Sequence, residues 1–217
     1  WERVWASVVF TWNRPLALLA KRLFEERKVP FEIGGTGHSL TVRLPPEIEG
    51  ALPDYDLYGD DRAIGFVQRG CVRGCSFCVV SKKEGLMSEN KYSPLEEWVP
   101  DGFSKVLLLD NEFAALSPDV SAWLKEDREA ATLRTAKEHG WKLSITQGYD
   151  LRCVNERKAG LLADWKPWDL KFRERRLYCA WDYYGIGPAV RRGIGRLVSA
   201  GFKPREIMVF CLVGYNT

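Results

Sequence analysis

The chain has 217 residues, of which 46% are hydrophobic and 28% are charged. These proportions are typical of a globular protein and exclude a disordered, collagen-like or coiled-coil chain. The net charge of +3, from 32 basic and 29 acidic residues, is too small to indicate nucleic-acid binding by itself. The sequence has neither an apolar run of the ~20 residues that a membrane-spanning helix needs nor a recognisable secretory signal. We therefore expect a soluble cytoplasmic protein with no membrane partner.

The first fifty residues predict a strand, a helix and a second strand. Residues 4–10 form an apolar run of strand length, and Pro15 suits the first turn of a helix that continues to Lys28. A short apolar stretch at residues 31–33, followed by glycines, predicts the second strand. From Leu44 to Asp61 the chain is rich in Pro, Gly, Asp and Glu, and we expect a linker over residues 51–62.

From Ala63 onward, strand-like and helix-like stretches alternate. The predicted strands are residues 64–68, 105–109, 141–146, 176–181 and 207–213, and the helices lie near residues 94–99, 121–138, 155–163 and 188–200. Such alternation indicates parallel strands joined by crossover helices. The order fits a closed or partial (β/α) barrel as well as an open sheet, because five units do not decide closure. In either case, functional residues collect at the carboxyl ends of the strands.

Six cysteines are present, and three of them lie together in a loop directly after the first strand of the alternating region. The loop reads R-G-C-V-R-G-C-S-F-C and contains Cys71, Cys75 and Cys78 in a C-x3-C-x2-C spacing. Three thiolates on one short loop can hold three corners of a cubane iron–sulfur cluster. A structural zinc site requires a fourth ligand, which the sequence does not show. Buried or zinc-binding cysteines remain the alternative.

The loop and its position resemble the signature of the radical S-adenosylmethionine (radical SAM) superfamily. The resemblance implies that Cys71, Cys75 and Cys78 ligate a [4Fe-4S] cluster, whose fourth iron binds S-adenosylmethionine, and that Phe77 lies beside the adenine. It implies an enzyme that cleaves S-adenosylmethionine reductively to a 5′-deoxyadenosyl radical, with an electron donor such as flavodoxin or ferredoxin. The implied fold is α/β, a partial TIM-like (β/α) barrel over residues 63–217, which we expect to be incomplete at its C-terminus, with a small N-terminal appendage.

The end of the second strand carries Asp110, Asn111 and Glu112. Their position resembles the second-strand motif of the family, whose backbone and acidic side chain hold the amino group of the cosubstrate. The sequence departs from the usual Gly-Gly-Glu, so these three residues are candidates for cofactor binding. The alternative is that they cap a helix or a turn.

The later strand ends supply further cofactor-binding candidates. Gln147 and Asp150 have side chains suited to ribose hydroxyls, and Arg152 suits a bidentate pair with the methionyl carboxylate. An Asp–Arg pair that fastens a loop is the alternative. Strand alternation places Asp182 at the mouth of the fourth strand. The resemblance makes Val213, at the end of the fifth strand, a candidate for contact with adenine. No catalytic residue is assigned.

The remaining cysteines and the basic residues near the loop have more ordinary interpretations. We expect the other three cysteines to pack as small hydrophobic residues, with ligands of a second cluster as the alternative, namely Cys153, Cys179 and Cys211. The charges that flank the loop predict a solvated mixed-charge surface, and the alternative is that they attract an anionic substrate or an acidic electron donor such as flavodoxin. The basic members of that surface are Arg62, Arg69, Arg73, Lys82 and Lys83.

The N-terminal segment, residues 1–50, resembles the latter half of the Rossmann-like domain that precedes the barrel in the cobalamin-linked and methylthiotransferase-like branch of the superfamily. The D-x-H-x-x-G pattern of the cobalt-ligating histidine is absent, so cobalamin is not predicted. Two other functions stay open: an iron–sulfur electron-transfer or zinc-stabilised binding module, and an inactive scaffold that binds a partner such as RNA. The substrate, whether a small molecule, a peptide or an RNA nucleoside, and the oligomeric state are also open. We expect the chain to be part of a longer one.

Overall fold

The computed structural model describes residues 2–214 and divides the chain into two compact units, Trp1–Asp54 and Tyr55–Thr217. The boundary falls within the stretch predicted as a linker, residues 51–62. Each unit has a hydrophobic core of its own, because the apolar faces of its strands and helices pack on one another.

The N-terminal unit is built on two parallel strands, β1 (Val4–Ser7) and β2 (Phe31–Gly34), which pair in register along their whole length. They are joined by helix α1 (Arg14–Glu26), which has Pro15 in its first turn. The buried residues of the core are Val8, Phe31 and Ile33, and α1 packs on them. A single turn of helix, α2 (Pro46–Glu49), follows.

The second unit begins with the short helix α3 (Tyr55–Tyr58) and a three-stranded parallel sheet in the order β3–β4–β5. The strands alternate with helices because the crossover between parallel neighbours must return to the same end of the sheet. The elements are β3 (Arg62–Gly65), α4 (Val80–Lys83), β4 (Lys105–Leu108), α5 (Arg128–Glu138) and β5 (Lys142–Ile145).

A second three-stranded parallel sheet, in the order β6–β7–β8, completes this unit. Its helices begin at polar or Pro-containing turns: the Asn155 side chain accepts a hydrogen bond from the Lys158 amide and caps α6. The elements are β6 (Tyr149–Asp150), α6 (Glu156–Trp165), β7 (Leu177–Trp181), α7 (Gly187–Ser199) and β8 (Ile207–Cys211).

The prediction of a partial TIM-like barrel is wrong. The chain is α/β, but its strands form three separate parallel sheets of two, three and three strands, and no barrel is formed within residues 2–214. The break comes after β5, which ends at Ile145. Gly148 has a φ of +90° and turns the chain, so that β6, and not β5, is hydrogen-bonded to β7. Alternation of strands and helices does not determine whether neighbouring pairs join into one sheet.

The helices also differ from the sequence prediction in extent. The segment predicted as a helix near residues 94–99 contains only a 3₁₀ turn, Leu95–Glu97. The helix predicted from residue 121 begins only at Arg128, where Asp127 caps it by accepting a hydrogen bond from the Ala130 amide. Within the part of the chain that the structure describes, no helix combines the length and the apolar character needed to cross a membrane.

Candidate functional site

The cysteine loop leaves the carboxyl end of β3 and folds back on itself. The Cys71 amide donates to the Gly85 carbonyl at 3.2 Å, and the Cys78 amide donates to the Cys75 carbonyl at 3.0 Å. Gly70 has a φ of +89°, and a Cβ there would lie 2.8 Å from the Leu86 carbonyl oxygen, so only glycine fits without strain. The three thiols of the loop are free and half-buried.

The end of β4 holds the first part of this loop. The Asp110 carboxylate accepts hydrogen bonds from the backbone amides of Val67 at 3.0 Å and Gln68 at 2.8 Å. The Asn111 side-chain oxygen accepts one from the Gly70 amide at 3.1 Å. Burial raises the pKa of Asp110 to about 7, although the two backbone donors act in the opposite direction. Asp110 and Asn111, predicted as cofactor contacts, thus clamp the backbone that leads into the cysteines.

The second part of the loop is held through Arg73, which lies between Cys71 and Cys75. Its guanidinium donates to the Asp150 carboxylate, with Nε at 2.6 Å and Nη2 at 2.5 Å from Oδ2. Arg152 donates to the same carboxylate from its backbone amide at 2.9 Å and from its Nε at 2.8 Å. The predicted Asp150–Arg152 pair is therefore formed, and it fastens the turn at the end of β6.

We refer to Arg73, Asp150, Arg152 and Glu112 as the Asp150 cluster. Burial opposes ionisation of Asp150, but the hydrogen bonds from Arg152 hold its pKa below the ordinary value. Glu112 is 7% exposed, and its Oε2 lies 4.0 Å from Arg73 Nε, while its Oε1 has no hydrogen-bond partner among the described residues. Burial and the nearby Asp150 raise the pKa of Glu112 to about 8, against the pull of Arg73 and Arg152. At neutral pH, two guanidinium groups thus face one ionised carboxylate, and the cluster favours anions.

Two thiols beside this cluster, those of Cys71 and Cys153, are protonated at neutral pH in the absence of metal. Burial raises the pKa of Cys71 to about 11 and, together with Asp150 and Glu112, that of Cys153 to about 12. The Arg73 guanidinium donates to the Cys153 sulfur at 3.4 Å, and the Arg73 amide donates to the Cys71 sulfur at 3.3 Å. Metal binding at this loop must displace thiol protons.

Two further cofactor-binding candidates are Phe77, which lies in the loop, and Asp182, whose charge acts on Cys75. Burial raises the pKa of Cys75, Arg152 lowers it and Asp182 raises it again, so both charges act on this thiol. Burial also raises the pKa of Asp182 itself, while Arg152 opposes the shift. Phe77, within the loop, is 37% exposed.

The other two candidates lie outside the cluster. Gln147 is exposed, and its amide donates to the hydroxyl of the neighbouring Thr146 at 3.4 Å. Val213 is 85% exposed beyond the end of β8. Among residues 2–214, neither side chain has a hydrogen bond or an ion pair to the Asp150 cluster.

The donor set of the loop fits an iron–sulfur cluster. Cys71, Cys75 and Cys78 are three free thiols on one loop, and thiolate sulfur is the ligand that iron–sulfur clusters take. The positive charges of Arg73 and Arg152 act to lower the pKa of the loop thiols against burial, and they would favour a bound anionic cluster. In residues 2–214, no three His, Cys, Asp or Glu side chains are already arranged as a metal site.

Two contributors to the site were missed in the sequence. The sequence predicts a solvated surface for Arg73 and simple packing for Cys153, whereas in the structure the Arg73 guanidinium contacts both the Cys153 sulfur and Asp150. The sequence contains no signal for these contacts, because they join positions 77 and 80 residues apart. Comparison of the chain with protein-family models, curated proteins and solved structures gave no match.

Proposed function

We propose that this chain is a radical SAM enzyme whose Cys71, Cys75 and Cys78 hold a [4Fe-4S] cluster. The observation that carries the proposal is the loop, in which three free, half-buried thiols lie within residues 71–78 at the end of a parallel strand. The proposal rests on this loop and on the charges around it, and it does not depend on a barrel.

The chemistry would come from the bound groups, and the chain would hold and orient them. When bound, the cluster supplies one electron to S-adenosylmethionine, whose C5′–S bond breaks to give methionine and a 5′-deoxyadenosyl radical that removes a hydrogen atom from substrate. Arg152, Nε of which lies 2.8 Å from Asp150, is the proposed partner of the methionyl carboxylate. Glu112, whose buried Oε1 has no hydrogen-bond partner among the described residues, is the proposed acceptor for the methionyl ammonium. The charge of the ammonium would favour the ionised carboxylate and so lower the pKa of Glu112 on binding.

The outer contacts and the partners belong to the same proposal. Phe77 and Val213 would contact the adenine, and Gln147 and Asp182 the ribose hydroxyls. The electron would come from a flavodoxin or ferredoxin, and the protein would work in the reducing cytoplasm, where thiols remain available as ligands. The substrate would be a small molecule, a peptide or an RNA nucleoside.

The test is anaerobic reconstitution with iron and sulfide, followed by iron counting, EPR of the reduced protein, and incubation with dithionite and S-adenosylmethionine. We expect about four irons per chain, the number in a [4Fe-4S] cluster, and release of 5′-deoxyadenosine. Cys75→Ala should abolish both. The matched control is Cys179→Ala, which changes a fully buried thiol on β7 and should abolish neither. Stoichiometric zinc without a reducible cluster, or cleavage retained in Cys75→Ala, would refute the proposal.

Cys153 favours a second candidate, an iron–sulfur electron-transfer module or a zinc-stabilised binding module without S-adenosylmethionine chemistry. Its thiol contacts Arg73 of the cysteine loop at 3.4 Å and would complete a set of four cysteines. This candidate predicts that Cys153→Ala lowers metal content and that 5′-deoxyadenosine never forms. The radical SAM proposal predicts full iron content in Cys153→Ala and the release of 5′-deoxyadenosine by the wild type.

A further inference from the structure

A fully buried ionic network lies beneath the candidate site. Glu129 on α5, Lys158 on α6 and Tyr149 on β6 are each 0% exposed. The Lys158 ammonium donates to the Glu129 carboxylate and, at 2.7 Å, to the Ala114 carbonyl. The Tyr149 hydroxyl donates to the other carboxylate oxygen of Glu129. Every member therefore depends on the others, because a buried charge without its partner is strongly destabilising.

The network attaches to the backbone at two points beside the Asp150 cluster. Ala114 lies in the 3₁₀ turn that directly follows Glu112. Tyr149 directly precedes Asp150 in β6. Glu112 is two residues before Ala114, whose carbonyl accepts a hydrogen bond from Lys158. Asp150 is one residue after Tyr149, whose hydroxyl donates to Glu129. Over so few residues, a shift of the held group moves the acidic residue as well.

The charge of Lys158 also reaches the cluster. Burial and Asp150 raise the pKa of Glu112, and Lys158 acts with Arg73 and Arg152 in the opposite direction. The same ammonium acts on the Cys153 thiol, whose pKa burial raises most. Lys158 therefore acts on the charges of the Asp150 cluster as well as on Glu129.

We propose that Glu129, Lys158 and Tyr149 are positioning residues of the candidate site. They fix the backbone of Glu112 and Asp150, and through Asp150 they fix Arg73 and the cysteine loop. The positioning of the loop stands on these contacts alone, whereas its relevance to S-adenosylmethionine cleavage rests on the proposed function.

The test compares Lys158→Met with Leu162→Ala in the full chain. Leu162 is also 0% exposed and lies one turn later on α6, so its truncation destabilises the same helix without removing a charge or a hydrogen bond of the network. Amide hydrogen exchange is measured at one pH in the metal-free protein. For Lys158→Met we expect about tenfold faster exchange in residues 66–78, 110–115 and 149–153, in addition to any change in α5 and α6 themselves, with β7 unchanged. Leu162→Ala should instead raise exchange in β7 at least as much as in the loop.

Further variants keep the test decisive if Lys158→Met does not fold. Tyr149→Phe removes one hydroxyl, and Glu129→Leu combined with Lys158→Met removes both charges, an exchange that buried pairs often tolerate. Both variants should speed hydrogen exchange in the same segments as Lys158→Met. Equal exchange patterns in the network variants and in Leu162→Ala would overturn the proposal.

A spectroscopic measurement separates this inference from the proposed function. In the reconstituted protein, we expect the EPR change on addition of S-adenosylmethionine to be weakened in Tyr149→Phe and retained in Leu162→Ala. Absence of any cluster in the wild type would contradict the proposed function, whereas the exchange pattern would still decide the positioning role. An unaltered EPR response in Tyr149→Phe would limit the network to the metal-free loop and contradict its role in S-adenosylmethionine binding.

Discussion

The two halves of the cysteine loop are each held by a buried aspartate, and the two aspartates differ in character. Asp110, 3% exposed, accepts hydrogen bonds from the neutral backbone amides of Val67 and Gln68. Asp150, 5% exposed, accepts hydrogen bonds from the guanidinium groups of Arg73 and Arg152. Burial raises the pKa of Asp110 to about 7, whereas the hydrogen bonds from Arg152 overcome burial and lower the pKa of Asp150.

The difference shows that burial alone does not decide the charge of a carboxyl group. Backbone amides offset only part of the desolvation cost at Asp110, whereas full positive charges overcome it at Asp150. The first half of the loop is therefore held by a group that titrates near neutrality. The second half is held by a group that stays ionised.

The largest expected effect comes from removing the charge of Asp150, which holds the second half of the cysteine loop. Asp150→Asn leaves the partly exposed guanidinium groups of Arg73 and Arg152 without their carboxylate, and loss of a hydrogen bond to a charged group costs about 1.5–3 kcal/mol. We expect the free energy of unfolding, measured in urea, to fall toward that range, and the cysteine loop to lose protection from hydrogen exchange. Arg173→Ala, a change at an exposed arginine, is the control and should have little effect. A loss below about 1 kcal/mol, as for a surface pair, would contradict the assigned role of Asp150.

The pH dependence of the free energy of unfolding distinguishes Asp110 from Asp150. The folded-state pKa of Asp110 is raised from 3.8 to about 7, so the folded state binds more protons than the unfolded state between these values. Its contribution to stability therefore falls as pH rises through this window, by up to about 1.4 kcal/mol per pH unit. Asp150 has a lowered pKa, so its contribution is present above the ordinary value and is lost as pH falls below it.

Urea unfolding of the wild type and two variants between about pH 2.5 and 8 measures these slopes. The difference between the wild type and Asp110→Asn should decline from about pH 4 to 7, and that between the wild type and Asp150→Asn should disappear in acid. Glu112, whose pKa burial and Asp150 raise to about 8, cancels in the difference for Asp110→Asn. Asp150→Asn also removes the carboxylate that raises the pKa of Glu112, so the comparison for this variant is made in acid, where Glu112 is protonated in both proteins. Parallel curves for the wild type and Asp110→Asn would show that Asp110 does not titrate near neutrality.

A smaller effect is expected where the first half of the loop turns. Gly70→Ala places a side chain at a φ of +89° and within 2.8 Å of the Leu86 carbonyl oxygen. Such backbone strain costs about 1–3 kcal/mol. Gly74→Ala is the matched control, because a Cβ at Gly74 meets nothing within 4 Å and its φ is not positive. Thermal unfolding should show a clear loss for the first variant and little change for the second. Equal losses would mean that the turn at Gly70 is not strained by a side chain.

The smallest expected effect is the loss of one hydrogen bond. Asn111→Ala removes the acceptor of the Gly70 amide, which costs about 0.5–1.5 kcal/mol in unfolding experiments. Asn111→Asp, which keeps an acceptor oxygen, should recover most of the loss. If the alanine variant is as stable as the wild type, water replaces the Asn111 side chain as the acceptor.

Much of the local structure could be predicted from the sequence. The strands β4, β5, β7 and β8 lie within the predicted ranges, because short apolar runs bounded by turn residues are a local signal. The arrangement of the strands into sheets could not be predicted in this way. In a continuous sheet β5 would lie beside β7, but β6, a strand of only two residues, takes that place. The buried Glu129 and Lys158 did carry a signal: Glu129 lies four residues before buried Leu133 and Lys158 four before buried Leu162, at the spacing of an inward helix face.

The sequence by itself determined the alternation of strands and helices, the position of the cysteine loop after a strand, and the gathering of polar residues at strand ends. These properties depend on residues close together in the chain. Only the tertiary structure decided that Asp110 and Asn111 hold the loop backbone, that Arg73 joins the loop to Asp150 and Cys153, and that the strands form separate sheets. Those contacts link residues about forty to eighty positions apart, and their formation depends on packing and on the local electrostatic environment.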